Sequence, residues 1–445
     1  MKAKINKIHL FFVFALLLLS CNKSETEQIF EDSSTVRKEK REQELRNLLL
    51  SSEQGWKVTY FTDNTQLGGF AFLFKFIDDT QVEMATDFNN GYTKMQSEYD
   101  ILYSSTTKLS FSTKNYIHDL SDSANPPDSG LTGRGYKGDF EFLYYGAEGD
   151  DIIFRTNRDF IELRFSKATE NDWSDFHKHE LIKANIDGQV GKSVFRILKI
   201  DNKLYNFSYD TRRRFATNNA ASKDNLNFGI GLTPTGIIIE PAIDIDNSKI
   251  NEFTYDSSED KFIAKLEDGS EIASIFYDSS PAFPYTGYQD INSQSLLYNE
   301  LSDQVTETNE AFRIFLEDYR NSLSPYGISN DPNEPIRFAG IQLNDLLKPL
   351  SFLKIVVTFN NNPINNGFWF DFKKSVVDNK LVFSPTGKTN ASPEIKELVK
   401  PLTDIIFDPK GHHVRSAGTL DGYSNKIFTF TPASNTQYIF EVFAI

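Results

Sequence analysis

One cysteine, Cys21, in 445 residues rules out a good deal. A chain with a lone thiol forms no internal disulfide and builds no zinc site from paired thiolates, so its stability has to come from buried apolar area. Basic residues are also in short supply. The 47 Lys and Arg against 62 Asp and Glu leave a net charge of −15. That sign opposes binding to phosphate backbones, which attract clustered Lys and Arg, so nucleic acid is not an expected partner. It opposes adhesion to anionic lipid headgroups in the same way. The one basic run, Arg212-Arg213-Arg214, stands in a polar stretch and reads as a solvated turn. Long apolar runs are missing too. Leu10 to Leu19 is about half of the roughly 20 residues that cross a bilayer as a helix.

That short run has a telling context. Lys2, Lys4 and Lys7 precede it and Ser20-Cys21 closes it, which is the pattern of an export signal: basic start, apolar middle, small residue at the cut. A thiol directly after Leu18-Leu19-Ser20 resembles the lipobox of bacterial lipoproteins, whose cysteine is acylated and becomes the mature N-terminus. The expectation is a signal peptide over residues 1–20, lipidation at Cys21, and a polar, acidic tether over 21–34. Membrane contact then runs through the acyl chains at Cys21 alone.

What the chain has in quantity is aromatics, 39 Phe and 19 Tyr. Aromatic and β-branched side chains fit a pleated, half-buried surface, so the expected class is mostly β (α+β), with antiparallel sheets or barrel-like modules and a few flanking helices. Gly69 to Phe76 puts Phe70, Phe72, Phe74 and Phe76 on one face by alternation. Short strands broken by Gly, Asn and Asp run from Trp56 to about Lys167 and again from Val194 to Ile275. Asn125-Pro126-Pro127-Asp128-Ser129-Gly130 cannot join a ladder and is expected as a surface loop. Leu45, Leu48 and Leu49 mark a helix over Val36–Ser52. Thr169-Glu170-Asn171-Asp172 resembles a helix cap, with Trp173, Phe176 and Leu181 on one stripe behind it.

Pro281 and Pro284 mark a boundary before the last third, where helix and strand mix. There, Leu343–Leu350 and Ile395–Leu402 share apolar spacing at i, i+3, i+4 and i+7, with Lys-Pro at the same place. Both read as amphipathic helices kinked or restarted at the proline, either as a duplicated strand–helix–strand unit or by convergence. The expected modules are 35–184, 185–285 and 286–445.

Several motifs look chemical and are not. Gly133-Arg134-Gly135-Tyr136-Lys137-Gly138 fits G-x-G-x-x-G, but a phosphate cradle needs a helix opening directly behind it. Asp139 to Tyr144 alternates like a strand, so a glycine-rich turn is expected instead. Gly191-Lys192-Ser193 is no phosphate loop, because Ile186 stands where its first glycine belongs. His177-Lys178-His179-Glu180 is the densest group of metal-capable side chains. Two apart on a helix, its imidazoles face different ways and cannot share an ion. His177 is expected at the core edge beside Trp173 and Phe176, and His412-His413 on a surface loop.

Asp244-Ile245-Asp246-Asn247-Ser248 starts like a calcium loop. However, Lys249 and Tyr255 stand where the turn needs glycine and the ion needs a bidentate carboxylate. An exposed acidic turn is expected. No H-E-x-x-H or G-x-S-x-G occurs. Phe368-Trp369-Phe370-Asp371-Phe372 puts aromatics on both strand faces, which suits a core, a domain interface or a stacking platform for a sugar or apolar ligand. No catalytic, cofactor-binding or metal residue is assigned.

A framework pattern extends over roughly residues 45–280. It comprises Gly55-Trp56-Lys57 before a strand, Gly68-Gly69-Phe70 through Phe76, and Leu109-Ser110-Phe111 leading to Tyr116-Ile117-His118. Gly138 through Phe142 and Leu232-Thr233-Pro234-Thr235-Gly236 complete it. This resembles the Bacteroidota lipoprotein family catalogued as domain of unknown function 4302. The resemblance implies an envelope lipoprotein encoded near outer-membrane uptake systems of the porin-plus-lipoprotein kind and near a zinc metallohydrolase lipoprotein; it carries no active-site residues. Lys23, Glu25 and Glu27 approximate the surface-export signal of such bacteria, leaving cell-surface and periplasmic display of an outer-membrane lipoprotein both open. The expected role is a non-enzymatic binding or accessory part of an outer-membrane nutrient-uptake system, with the ligand held on aromatic sheet surfaces. The alternative is a cell-surface hydrolase acting on a glycan or peptide polymer.

Overall fold

A strand that lines up four phenylalanines needs that face covered, and the chain covers it by closing the sheet on itself. The computed structural model describes residues 33–188, 190–220, 225–245, 248–299, 308–327, 336–359, 367–419 and 423–445. The leader, Cys21 and the tether as far as residue 32 lie outside the described residues. Eight strands form barrel 1: β1 (Trp56–Phe61), β2 (Gly69–Phe76), β3 (Gln81–Thr86), β4 (Met95–Tyr103), β5 (Thr107–Phe111), β6 (Glu141–Glu148), β7 (Asp151–Thr156) and β8 (Glu162–Lys167). Each pairs antiparallel with the next, and β8 returns to β1 through Trp56–Lys167 and Lys57–Ser166.

The same up-and-down path is walked twice more. Barrel 2 runs through β9 (Phe195–Ile200), β10 (Lys203–Asp210), β11 (Phe215–Ala220), β12 (Asn225–Thr233), β13 (Gly236–Ile245), β14 (Ser248–Asp256), β15 (Lys261–Lys265) and β16 (Glu271–Asp278). Barrel 3 runs through β17 (Leu296–Asn299), β18 (Ile336–Asn344), β19 (Ser351–Phe359), β20 (Gly367–Val377), β21 (Lys380–Thr389), β22 (His412–Thr419), β23 (Lys426–Pro432) and β24 (Phe440–Ala444). In barrel 3, β21 and β22 share a single pair, Leu381 with His412. The fold is mostly β and antiparallel, as composition indicated.

Eight strands enclose a space just wide enough for side chains to fill, and aromatics fill barrel 1. Phe74 stacks on Phe111 and Phe165, each at 5.3 Å, while Phe142 and Phe154 close around Phe165 at 6.3 and 4.9 Å. Phe70, Phe72, Phe74 and Phe76 are all buried. Each such ring contributes about 1.5–3 kcal/mol over an exposed one. The aromatic face of β2 is therefore core and offers no platform for a ligand. Barrel 2 fills with aliphatics instead, among them Leu198, Ile230, Ile237 and Ile275 around Phe228 and Phe253.

Helices seal the barrels. The helix α1 (Ser34–Leu50), capped by Ser33, drives Leu45 and Leu49 into the core of barrel 1. Trp56 Nε1 fixes it by donating to the Leu49 carbonyl at 2.8 Å. The single turn α2 (Tyr116–Asp119) adds Ile117 to the same core. In barrel 3, α5 (Glu310–Leu323) contributes Phe312, Leu316, Tyr319 and Leu323, and α6 (Pro393–Ile406) contributes Val399, Leu402 and Ile406.

Two sequence expectations fail here for physical reasons. Of the two matched segments, only 395–402 is helical; it lies within α6, whose Ser392 cap and Pro393 at the first turn start it cleanly, and the helix continues through Pro401. In the other, Leu343 and Asn344 end β18, Asp345 takes a left-handed φ of 57°, and the chain turns straight into β19. Pro349 disfavours the helical region at Lys348 and leaves too short a run to nucleate a helix. The segment after barrel 1 is also broken. The helix α3 (Glu170–Ser174) is held by a capping box of Thr169 and Asp172, a 3-10 turn follows over Phe176–Lys178, and α4 (His179–Asp187) starts afresh. That break rotates the stripe: Leu181 is 58% exposed, His177 faces solvent, and His179 turns inward.

Candidate functional site

Charged and titratable side chains converge where barrel 1 meets barrel 2. The two barrels pack β1 and β2 against β12, and glycines let their backbones touch. The Gly68 amide donates to the Arg213 carbonyl at 2.7 Å. A Cβ at Gly68 would lie 2.3 Å from the Arg214 carbonyl oxygen, and one at Gly229 would lie 2.5 Å from that of Leu67. The outer face of β2 is covered as well, since Ala71, Leu73 and Ala85 pack against Phe176 and Trp173. A strand buried on both faces explains why β2 is apolar from Gly69 to Phe74, with Lys75 falling where the burial lapses.

Into this dry junction the chain inserts Arg214, 4% exposed. Its guanidinium donates to the Gly69 carbonyl at 3.1 Å and the Asp87 carbonyl at 2.7 Å, and it lies 4.8 Å from the Phe70 ring centre. Nη1 is 2.9 Å from Asp87 Oδ2, close enough for an ion pair though off-axis for a hydrogen bond. Asp87 Oδ1 meanwhile accepts from the Ala71 amide at 3.0 Å. Burial works against the Arg214 charge, but Asp87 and the nearby Tyr209 outweigh it and hold its pKa above the ordinary value.

His179 stands on the other side of the carboxylate. Its Nδ1 is 3.7 Å from Asp87 Oδ2 and has no hydrogen-bond partner. Burial pushes the imidazole pKa down, with Asp87 pulling up and Arg214 down, so the ring is neutral at pH 7. Phe176 packs on it at 4.6 Å and bridges to Tyr92 at 6.1 Å. Burial raises the Tyr92 phenol, and the Asp87 charge raises it further.

The arginine run is thus a clamp and not the solvated turn that its charge suggested. Arg214 lies in the junction, Arg213 forms an ion pair with Asp128, and Arg212 donates to the Pro126 carbonyl at 3.2 Å. The proline loop 125–130 is a loop as expected, but it is docked on the second barrel.

The other sequence candidates land elsewhere. Behind Gly133 to Gly138 comes β6, a strand and no helix. Lys192 bonds Asp260 at 2.7 Å and Asn185 at 3.3 Å, tying the inter-barrel segment to barrel 2. His412 and His413 are not on a surface loop: they open β22, both buried. His412 Nε2 lies 2.9 Å from the Ile406 carbonyl oxygen. His413 packs on Phe195 at 4.9 Å across the junction of barrels 2 and 3, and burial there, helped by Lys380 and His412, pushes its pKa down to about 4. Asp244 is exposed near the tip of the β13–β14 hairpin, whose residues 246 and 247 lie outside the described residues. Phe372 faces the barrel 3 core while Phe368, Trp369 and Phe370 are half-buried.

Among the described residues no three His, Cys, Asp or Glu side chains group to hold a metal, and no helix is long and apolar enough to cross a membrane. A cleft of about 270 Å³ on barrel 2 is lined by Lys199, Asp201, Lys261 and Glu271. Within it Lys261 is already paired with Glu259 and Glu271.

Three serial, side-chain-filled, up-and-down barrels, the first two joined by a buried ion pair, define a multi-barrel β protein. The chain belongs to the family described as Domain of unknown function (DUF4302), which matches residues 26–257 and so contains Asp87, His179 and Arg214. No curated protein matches it. Among solved structures, the chain is similar to a DNA polymerase sliding clamp from Bacillus subtilis at 9% identity, covering 91% of this chain and 96% of that one, with a TM-score of 0.18. A DNA polymerase III beta chain from Streptococcus pneumoniae TIGR4 matches at 10% identity, 89% and 91% coverage and a TM-score of 0.15. Scores that low carry no argument about this chain.

Proposed function

We propose that the protein is a lipid-anchored envelope component that acts without catalysis, as a binding or accessory part of an outer-membrane nutrient-uptake assembly. The observation that carries this reading is Cys21, a single thiol placed directly after the apolar leader and Leu18-Leu19-Ser20. The family lends support through its implied place among envelope lipoproteins. Closed barrels fit such a role, because a sheet without edges presents its loops and outer faces without inviting strand-to-strand aggregation. The junction fits too: an imidazole and carboxylate sealed from solvent serve orientation, whereas a catalytic pair has to reach its substrate.

Pull-down of the anchored protein from solubilised envelopes tests the reading. Recovery of an outer-membrane transporter component is expected, and recovery of none counts against the assembly. Incubation of the protein with glycans and peptides covers the hydrolase alternative, which released products would establish.

A further inference from the structure

We propose that the barrel 1–barrel 2 junction is an acid-opened latch, in which protonation of His179 places a second cation beside the single carboxylate of Asp87 and parts the two barrels. The inference stands on the geometry of the junction and is independent of the anchor. Among the described residues Asp87 is the one acidic side chain within ion-pairing distance of either base, and Arg214 already neutralises it at 2.9 Å. The guanidinium stays charged throughout the accessible pH range. Closed, the group Asp87, Arg214 and neutral His179 carries no net charge. A proton on the imidazole makes it +1 in a buried site, where an uncompensated charge is costly.

Among the described residues no other group facing His179 relieves that charge. From barrel 1 come Asp87 and Tyr92, the latter with an unbonded hydroxyl. From barrel 2 come Arg214 and the buried phenol of Tyr209, which burial keeps neutral, while β12, against which α4 packs, carries no titratable side chain. On the same helix Glu180 is exposed, and Asp187 pairs with Lys183 through Oδ2, its buried Oδ1 lying beyond ion-pairing distance of the imidazole.

The sign follows from the two states. With the barrels parted and His179 wetted, its pKa returns towards about 6.5, whereas in the closed junction it lies lower. Acid therefore favours the open form, starting as the pH falls through about 6.5 and levelling off at the closed-state pKa. Each barrel keeps its own core, so the change is one of relative placement.

A chain with one native thiol makes the test clean. In a Cys21→Ala background, Ser105→Cys and Glu267→Cys, both exposed, put one spin label on each barrel for pulsed distance measurement. One distance population is expected at pH 7.5. A second should grow below about pH 6.5, its ratio to the first rising up to about tenfold per pH unit. His179→Phe should keep the neutral-pH distribution down to pH 5, with His179→Gln standing in if the larger ring prevents folding. A parent distribution unchanged between pH 7.5 and 5, or a His179 variant that opens as the parent does, overturns the latch.

Discussion

Arg214 reaches its partners as a planar fork, two carbonyls and a carboxylate at once, in a place water does not enter. Arg214→Ala should cost about 3–5 kcal/mol, most of it from the stranded Asp87 carboxylate, read as a lowered urea midpoint. Arg214→Lys keeps the charge but replaces the fork with a point donor, so it should recover only part of that loss. Nothing near Arg214 in the sequence hints at this. Three consecutive arginines look like surface, and the acid that draws the third inward sits after β3, far back along the chain. Gly68 and Gly229 permit the close approach of two backbones, but which two could not be read without the fold. His179 was hidden for a different reason. A continuous helix would have turned His177 inward, and a 3-10 turn of three residues exchanged the two.

Among the elements, the α3 cap shows how local chemistry places distant groups. Thr169 Oγ1 accepts from the Asp172 amide and the Asp172 carboxylate accepts from the Thr169 amide, while Asp172 also accepts from Lys57 of β1 at 2.8 Å. Thr169→Ala should destabilise by about 1 kcal/mol, measured as a shift in the unfolding midpoint. Strands and caps of this kind were readable because alternation and S/T-x-x-D spacing are local facts. Closure was not, because β8 meets β1 through residues at opposite ends of the module. The Leu343–Leu350 segment failed for the converse reason. Its helical spacing was sound, but the strands on either side left room only for a turn.

At the scale of the whole molecule, anchoring and folding should separate. Cys21→Ala is expected to move the protein from the membrane to the soluble fraction with its circular dichroism and unfolding midpoint unchanged. A variant that still sediments with membranes in high salt would show attachment by another route. The three barrels also differ in how firmly they close. Barrel 2 seals β16 to β9 along six pairs, whereas β21 and β22 of barrel 3 meet at Leu381–His412 alone. Beyond that point β21 keeps its β20 partner, and only its amides turned towards β22 lack a ladder neighbour. Deuterium should accordingly enter the β22-facing amides of Ser384–Thr389 well before those of the β9–β16 boundary, which makes the third cylinder a hoop fastened by a single stitch along one line.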